Sequence, residues 1–161
     1  MVISVICEVI AGKPLNWALQ SANIASANNA APSGDKIALL FGGECTVTIK
    51  ESGKGGRNQQ IVLAVFSKLL EQYGFEQQKV EFALMSAGTD GQDGPTDAAG
   101  AVLTSSDMQY IYEAWSKWNK TVIDRYLNNN DSYNFWKKFN KGRSHIIVGP
   151  SGTNVMDVQV L

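Results

Sequence analysis

Residues 52–74, SGKGGRNQQIVLAVFSKLLEQYG, decide how the fold is read. A glycine-rich stretch passes without interruption into a run whose apolar residues Ile61, Val62, Val65, Leu69 and Leu70 form a stripe at helical spacing. Gly74 stands where a helix C-cap belongs. The stretch predicts a helix over 57–73 whose entrance is a glycine loop.

Working outward, residues 36–41 (KIALLF) are short and uncharged after Lys36, which suits a strand buried on both faces. Gly42 and Gly43 end that strand, and residues 46–49 alternate like a second one, expected to pair with it. Further upstream, residues 15–27 have helical spacing behind Pro14, and residues 28–35 form a turn-rich break. Residues 1–11 are apolar but lack a basic start and carry Glu8, so they read as a strand or helix lead-in and not as a signal peptide. Downstream, residues 80–87 predict another buried strand, running into a loop at 88–100. Helices are expected over 107–118, 121–127 and 132–139, with a break at 128–131. Strands at 144–148 and 155–160 flank a tight loop at 149–154, for which a turn between two strands is the simplest account. The alternation predicts one α/β domain over 1–161, a mixed β-sheet flanked by helices and antiparallel in part.

Composition narrows the function. Of 161 residues, 44% are hydrophobic and 18% charged, an ordinary globular balance. A formal net charge of −1 offers no basic footprint for nucleic acid or anionic lipid. No stretch approaches the roughly 20 apolar residues of a membrane span. Cys7 and Cys45 have neither disulfide-framework nor zinc spacing, and fit reduced thiols in a cytoplasmic protein, with a mitochondrial location as the alternative.

Three loops carry the unusual residues. In Gly53-Lys54-Gly55-Gly56-Arg57-Asn58-Gln59, glycines at a helix entrance leave backbone N–H groups free to face an anion. A flexible connection with solvated Lys54 and Arg57 explains the same residues, and the loop is not a Walker A motif. The second, Gly88-Thr89-Asp90-Gly91-Gln92-Asp93-Gly94-Pro95-Thr96-Asp97, gathers three carboxylates after a strand. Hard divalent cations and phosphoryl-transfer sites use such groups, while aspartates also cap turns through local hydrogen bonds. The third, Gly149-Pro150-Ser151-Gly152-Thr153-Asn154, fits a phosphate wrap or a turn. Glu44, just past a strand and a glycine pair, is placed to meet the first loop. His145 and the tryptophans Trp115, Trp118 and Trp136 read as packing residues.

Together with Phe41-Gly42-Gly43-Glu44-Cys45-Thr46-Val47 and Asn130-Asp131-Ser132, these motifs stand in the order and spacing of the MOFRL domain, which the chain resembles from its first strand to its last residue. The resemblance implies the C-terminal part of a glycerate 2-kinase, which phosphorylates D-glycerate to 2-phosphoglycerate with ATP and Mg²⁺. It implies a cleft shared with an N-terminal domain that this chain lacks, and hence a fragment inactive alone. Residue by residue, it implies catalytic roles for Arg57, Asp90 and Asp93, with Asp90 and Asp93 also as metal ligands. Substrate contacts would come from Glu44, Lys54, Asn58, Thr89, Asp97, Thr153 and Asn154. The chain departs from the family at Gln60, where Glu is usual, and at Cys45, Gln92 and Ser151. A stand-alone ligand-binding or interaction domain is the alternative. Some relatives carry a hydroxypyruvate reductase label, but the chain has no GxGxxG fingerprint.

Overall fold

The computed structural model describes residues 38–44, 46–47, 52–73 and 81–161. The expected elements at 1–11 and 15–27, the Gly74 cap, and residues 48–49 of the second strand lie outside the described residues, as do Cys7 and Cys45. The elements are β1 (Leu40–Gly43), α1 (Arg57–Tyr73), β2 (Ala83–Gly88), β3 (Gly100–Thr104), α2 (Ser105–Glu113), α3 (Lys120–Asn128), α4 (Ser132–Lys138), a 3-10 turn (Phe139–Gly142), β4 (His145–Ile146) and β5 (Asp157–Val160).

The helix predicted over 57–73 is α1, and the face it buries is slightly rotated from the sequence stripe. Val62, Leu63, Val65, Phe66, Leu69 and Leu70 are all buried, while Ile61 is only half-buried. The helix lies across β2 and β3 and meets Leu84, Ala101 and Leu103 of the sheet in the hydrophobic core. α2 begins on a capping box, in which the Thr104 side chain accepts from the Asp107 N–H and the Asp107 carboxylate accepts from the Thr104 N–H. It ends at Glu113, short of the predicted 118. Asn119 caps α3 by accepting from the Val122 N–H. Phe135, Trp136 and Phe139 close the core over Phe66, whose ring stacks on Trp136 at 6.3 Å and meets Phe139 edge-on at 5.3 Å.

The strands form one five-stranded sheet in the order β1-β5-β2-β3-β4. Every described pairing is antiparallel, so the parallel component of a mixed sheet is not found among the described residues. Three readings of the strands change. β1 is not buried on both faces: Leu40 is 71% exposed, and among the described residues the strand pairs with β5. β3 has no counterpart in the predicted elements, because its five residues GAVLT sit between a glycine-rich loop and a helix cap. The 149–154 loop does not join neighbouring strands, since β2 and β3 separate β4 from β5. It crosses the end of the sheet.

That crossing follows from the register. β1 and β2 both run antiparallel to β5, and Gly43 and Gly88 both pair with Asp157. Gly100 pairs with Ala87 on one side and Ile146 on the other. The C-terminal ends of β1, β2 and β4 and the starts of β3 and β5 therefore share one end of the sheet. Among the described residues, no helix is long and apolar enough to cross a membrane.

Phe66→Ala should remove the centre of the aromatic cluster and cost about 3–5 kcal/mol, the range for truncating a fully buried phenylalanine. Urea unfolding checks this, and a loss under about 1 kcal/mol would mean that the cluster is not the core.

Candidate functional site

The N-terminus of α1 is held from the β2–β3 connection by one carboxylate. Asp93 is 1% exposed. Its Oδ1 accepts from the Asn58 N–H at 3.0 Å and from Asn58 Nδ2 at 3.3 Å, and its Oδ2 accepts from the Gln59 N–H at 2.9 Å and from Gln59 Nε2 at 3.0 Å. A carboxylate has about four lone-pair directions, and all are filled. An anion on orphan first-turn N–H groups is also favoured by the helix dipole. The approach is so close that a Cβ on Gly56 would fall inside the Asp93 carboxyl group. Gly94, at φ +61°, likewise leaves no room for a side chain against the Gly55 carbonyl.

A buried polar network extends from this contact. Asn58 Oδ1 accepts from Ser86 Oγ on β2 at 2.6 Å, and Gln59 Nε2 also reaches Thr96 Oγ1 at 3.3 Å. Gln59 Oε1 lies 2.9 Å from His145 Nε2. Because the Gln59 amide nitrogen is already donating, its oxygen accepts, and His145 Nε2 carries the proton. Burial lowers the His145 pKa, with Asp97 and Asp93 pulling the other way and Lys137 reinforcing it. His145 is thus a working member of the network as well as a sheet residue.

Beside the capped helix, Arg57 is fixed by an acid that the sequence reading did not single out. Asp157, 2% exposed at the start of β5, accepts from Arg57 Nε at 2.5 Å and from Nη2 at 2.9 Å. This bidentate pair raises the Arg57 pKa, against the opposing effect of burial, and keeps the guanidinium charged. The Glu44 carboxylate, 53% exposed, stands 3.2 Å from the same Nη2. Met156, just before Asp157, has φ +69°, an uncommon value for a side chain of its size. Its carbonyl is held by the Thr89 N–H at 3.0 Å and by Thr89 Oγ1 at 2.7 Å. No local pattern announced Asp157; its signal is a lone acid opening the short terminal strand DVQV.

Glu44, Gly53, Gly55, Gly56, Arg57 and Gln60 line a cleft of about 300 Å³. The Gly53 N–H donates to the Asn129 carbonyl and the Lys54 N–H to Asp131. Among the described residues, the N–H groups of Gly55, Gly56 and Arg57 have no acceptor. Gln60 Nε2 donates to the Leu127 carbonyl at 2.7 Å, a bond that a glutamate carboxylate in its place could not make.

The predicted site residues therefore fall into separate groups. Glu44 and Arg57 share the cleft. Asn58 and Asp93 are buried behind it, their polar atoms used inside the protein. Thr89, Asp90, Thr153 and Asn154 form a second cluster, where the 149–154 loop laces onto the end of β2. There Asp90 Oδ2 accepts from Asn154 Nδ2 at 3.4 Å, Asp90 Oδ1 accepts from the Gln92 N–H at 3.0 Å, and the Ser151 N–H reaches the Asp90 carbonyl at 3.1 Å. Thr153 is exposed, its N–H turned to Ser151 Oγ. Lys54 stands apart, its Nζ 4.2 Å from the centre of the Tyr133 ring. The Tyr133 hydroxyl in turn donates to Asp97 and lowers that carboxyl's pKa.

The MOFRL family profile matches residues 37–157. A glycerate kinase of Danio rerio is 45% identical over 123 residues, covering 76% of this chain and 23% of that protein. A D-glycerate 2-kinase of Thermotoga maritima is 44% identical over 130 residues, covering 79% of this chain and 27% of its own length. The crystal structure of a glycerate kinase from Thermotoga maritima aligns with 99% of this chain and 31% of that one, at TM-score 0.64 and 34% identity. The chain spans about a quarter of the length of the curated relatives it matches.

Two outcomes follow from the network. Asp93→Asn places an amide NH₂ against N–H donors and should destabilise the fold by about 1–3 kcal/mol in urea unfolding; an unchanged midpoint would contradict the cap. His145, the single histidine, should titrate below its ordinary 6.5 by NMR. Between its folded pKa and 6.5 the unfolded chain binds the proton that the folded one refuses, so stability should fall as pH drops through that window. A midpoint above 6.5 would contradict the buried neutral form.

Proposed function

The chain belongs to the MOFRL family, and from that premise we propose that it supplies one wall of the active site of an ATP-dependent glycerate kinase that converts D-glycerate to 2-phosphoglycerate. The observation that carries this reading is the cleft, where three N–H groups at a helix start that have no acceptor among the described residues border a guanidinium held in fixed orientation. A phosphoryl group in transfer spreads negative charge over its oxygens, and catalysis of that step rests on positioning and on donors aimed at the charge. The Gly55, Gly56 and Arg57 N–H groups and the guanidinium are such donors. Bound ATP supplies the γ-phosphoryl group.

In this reading Arg57 contacts a phosphoryl or carboxylate oxygen, and Asp93 acts through α1 by holding Arg57 and the glycine loop in place. Of the carboxylates, Asp90 is the one assigned to the glycerate hydroxyl proton: it is half-exposed, and among the described residues its carboxylate oxygens accept from Gln92 and Asn154. Thr89, Thr153 and Asn154 shape the rim around it. Among the described residues, no group of three or more His, Cys, Asp or Glu could hold a metal ion, and no step is derived through Mg²⁺. The opposite wall, and any further metal ligand, would come from an N-terminal domain. A cytoplasmic setting, with a mitochondrial one as the alternative, belongs to the same proposal.

Gln60 favours a second reading. If the glutamate usual at that position does chemistry in the cleft, a glutamine spent on Leu127 leaves a domain that binds ligand without turnover. Gln60→Glu in the longer parent distinguishes the two, since restored turnover would support the binding domain and unchanged turnover the kinase.

Arg57→Lys in that parent should lower kcat/KM tenfold or more, about 1.4 kcal/mol of transition-state stabilisation, because an ammonium cannot copy the fork. Unchanged kinetics in a coupled ADP-release assay would remove Arg57 from the site. In this reading the opposite wall of the cleft comes from outside these 161 residues, so they should show no turnover alone.

A further inference from the structure

A guanidinium offers two bidentate edges, one formed by Nε and Nη2 and the other by Nη1 and Nη2. Asp157 takes the first edge with hydrogen bonds from both nitrogens, and it is buried where nothing can replace it. Docking of any anion on the second edge needs the remaining N–H of Nη2. The Glu44 carboxylate already stands 3.2 Å from that nitrogen, and both residues line the cleft.

Resting on the proposed anion site, we propose that Glu44 is not a substrate contact but a placeholder, a carboxylate of the protein that occupies the position on Arg57 where the anionic group of the substrate must land. The two acids on Arg57 are built differently. Asp157 is fully buried and hydrogen-bonded, whereas Glu44 is half-exposed, follows the end of β1 and, among the described residues, makes an ion pair and no hydrogen bond. Exposed ion pairs of this kind contribute little and exchange readily with solvent or another anion. Two carboxylates against one guanidinium also leave the group one negative charge in excess, so an incoming phosphate meets repulsion until Glu44 swings away. Glu44 thereby keeps the guanidinium paired between turnovers and discriminates against weakly charged ligands that cannot displace it.

The sign of one substitution separates the two roles. A substrate contact weakens binding when removed, whereas a placeholder strengthens it. Inorganic phosphate is titrated into the ¹⁵N-labelled chain at low ionic strength, following the amide signals of Gly55, Gly56 and Arg57 and the Arg57 Nε–H signal. Glu44→Ala, at an exposed position that does not threaten folding, should bind phosphate about threefold or more tightly than the wild type. Arg57 Nε–H should keep its shift, because Asp157 still holds it. Equal or weaker binding by Glu44→Ala, with clear binding by the wild type, would overturn the placeholder and leave the anion site standing. If neither protein shows shifts at these groups, the anion site itself fails, and the placeholder with it.

Discussion

Asp93 joins two parts of the chain that are far apart in sequence. Its carboxylate reaches from the β2–β3 connection to the first turn of α1 and accepts four hydrogen bonds there. Burying a charge is costly unless it is fully paired, and here the pairing is with orphan helix donors that would otherwise be buried unsatisfied. The consequences spread outward. Gly56 and Gly94 have no room for side chains because the contact is tight. Gln59 is drawn into the interior and carries His145 with it, and Trp136 donates to the Gln59 carbonyl at 3.0 Å, tying α4 to the same turn.

The cap also decides what remains for a ligand. It consumes the N–H groups of Asn58 and Gln59, the ones a helix N-terminus usually offers to an anion, and leaves those of Gly55, Gly56 and Arg57 bordering the cleft. Arg57 follows directly on Gly56, so whatever fixes the helix start fixes the guanidinium. Asp157 completes the placement from the sheet, anchored by its position between Gly43 and Gly88 and by the strained Met156 that Thr89 holds. Helix and sheet thus meet on one charged side chain, which is what a preorganised site requires.

Much of this was legible in the sequence where the signal is local. The helix over 57–73, the break at 128–131 and the loop at 88–97 are written in periodicity and turn residues. What failed were contacts across long sequence separation. Asp93 looks like a ligand because nothing nearby reveals that its partners lie 34 and 35 residues upstream. Asn58 invites a substrate role by following Arg57, yet helical geometry turns it inward to Ser86. Asp157 was missed because a lone acid in a four-residue strand has no pattern of its own. The 149–154 loop has turn composition, but composition says nothing about which strands it joins. β3 was hidden by its short length between two stronger signals.

A crystal structure of the protein with 2-phosphoglycerate bound tests the central claim most directly, because it shows which donors the anion uses. The phosphate should lie within hydrogen-bonding distance of the Gly55 and Gly56 N–H groups and of Arg57 Nη1 and Nη2, with Asp93 still on the first turn of α1 and Asp157 still on Nε. A phosphate held by Lys54, or wrapped by the 149–154 loop with Arg57 making no contact, would contradict it.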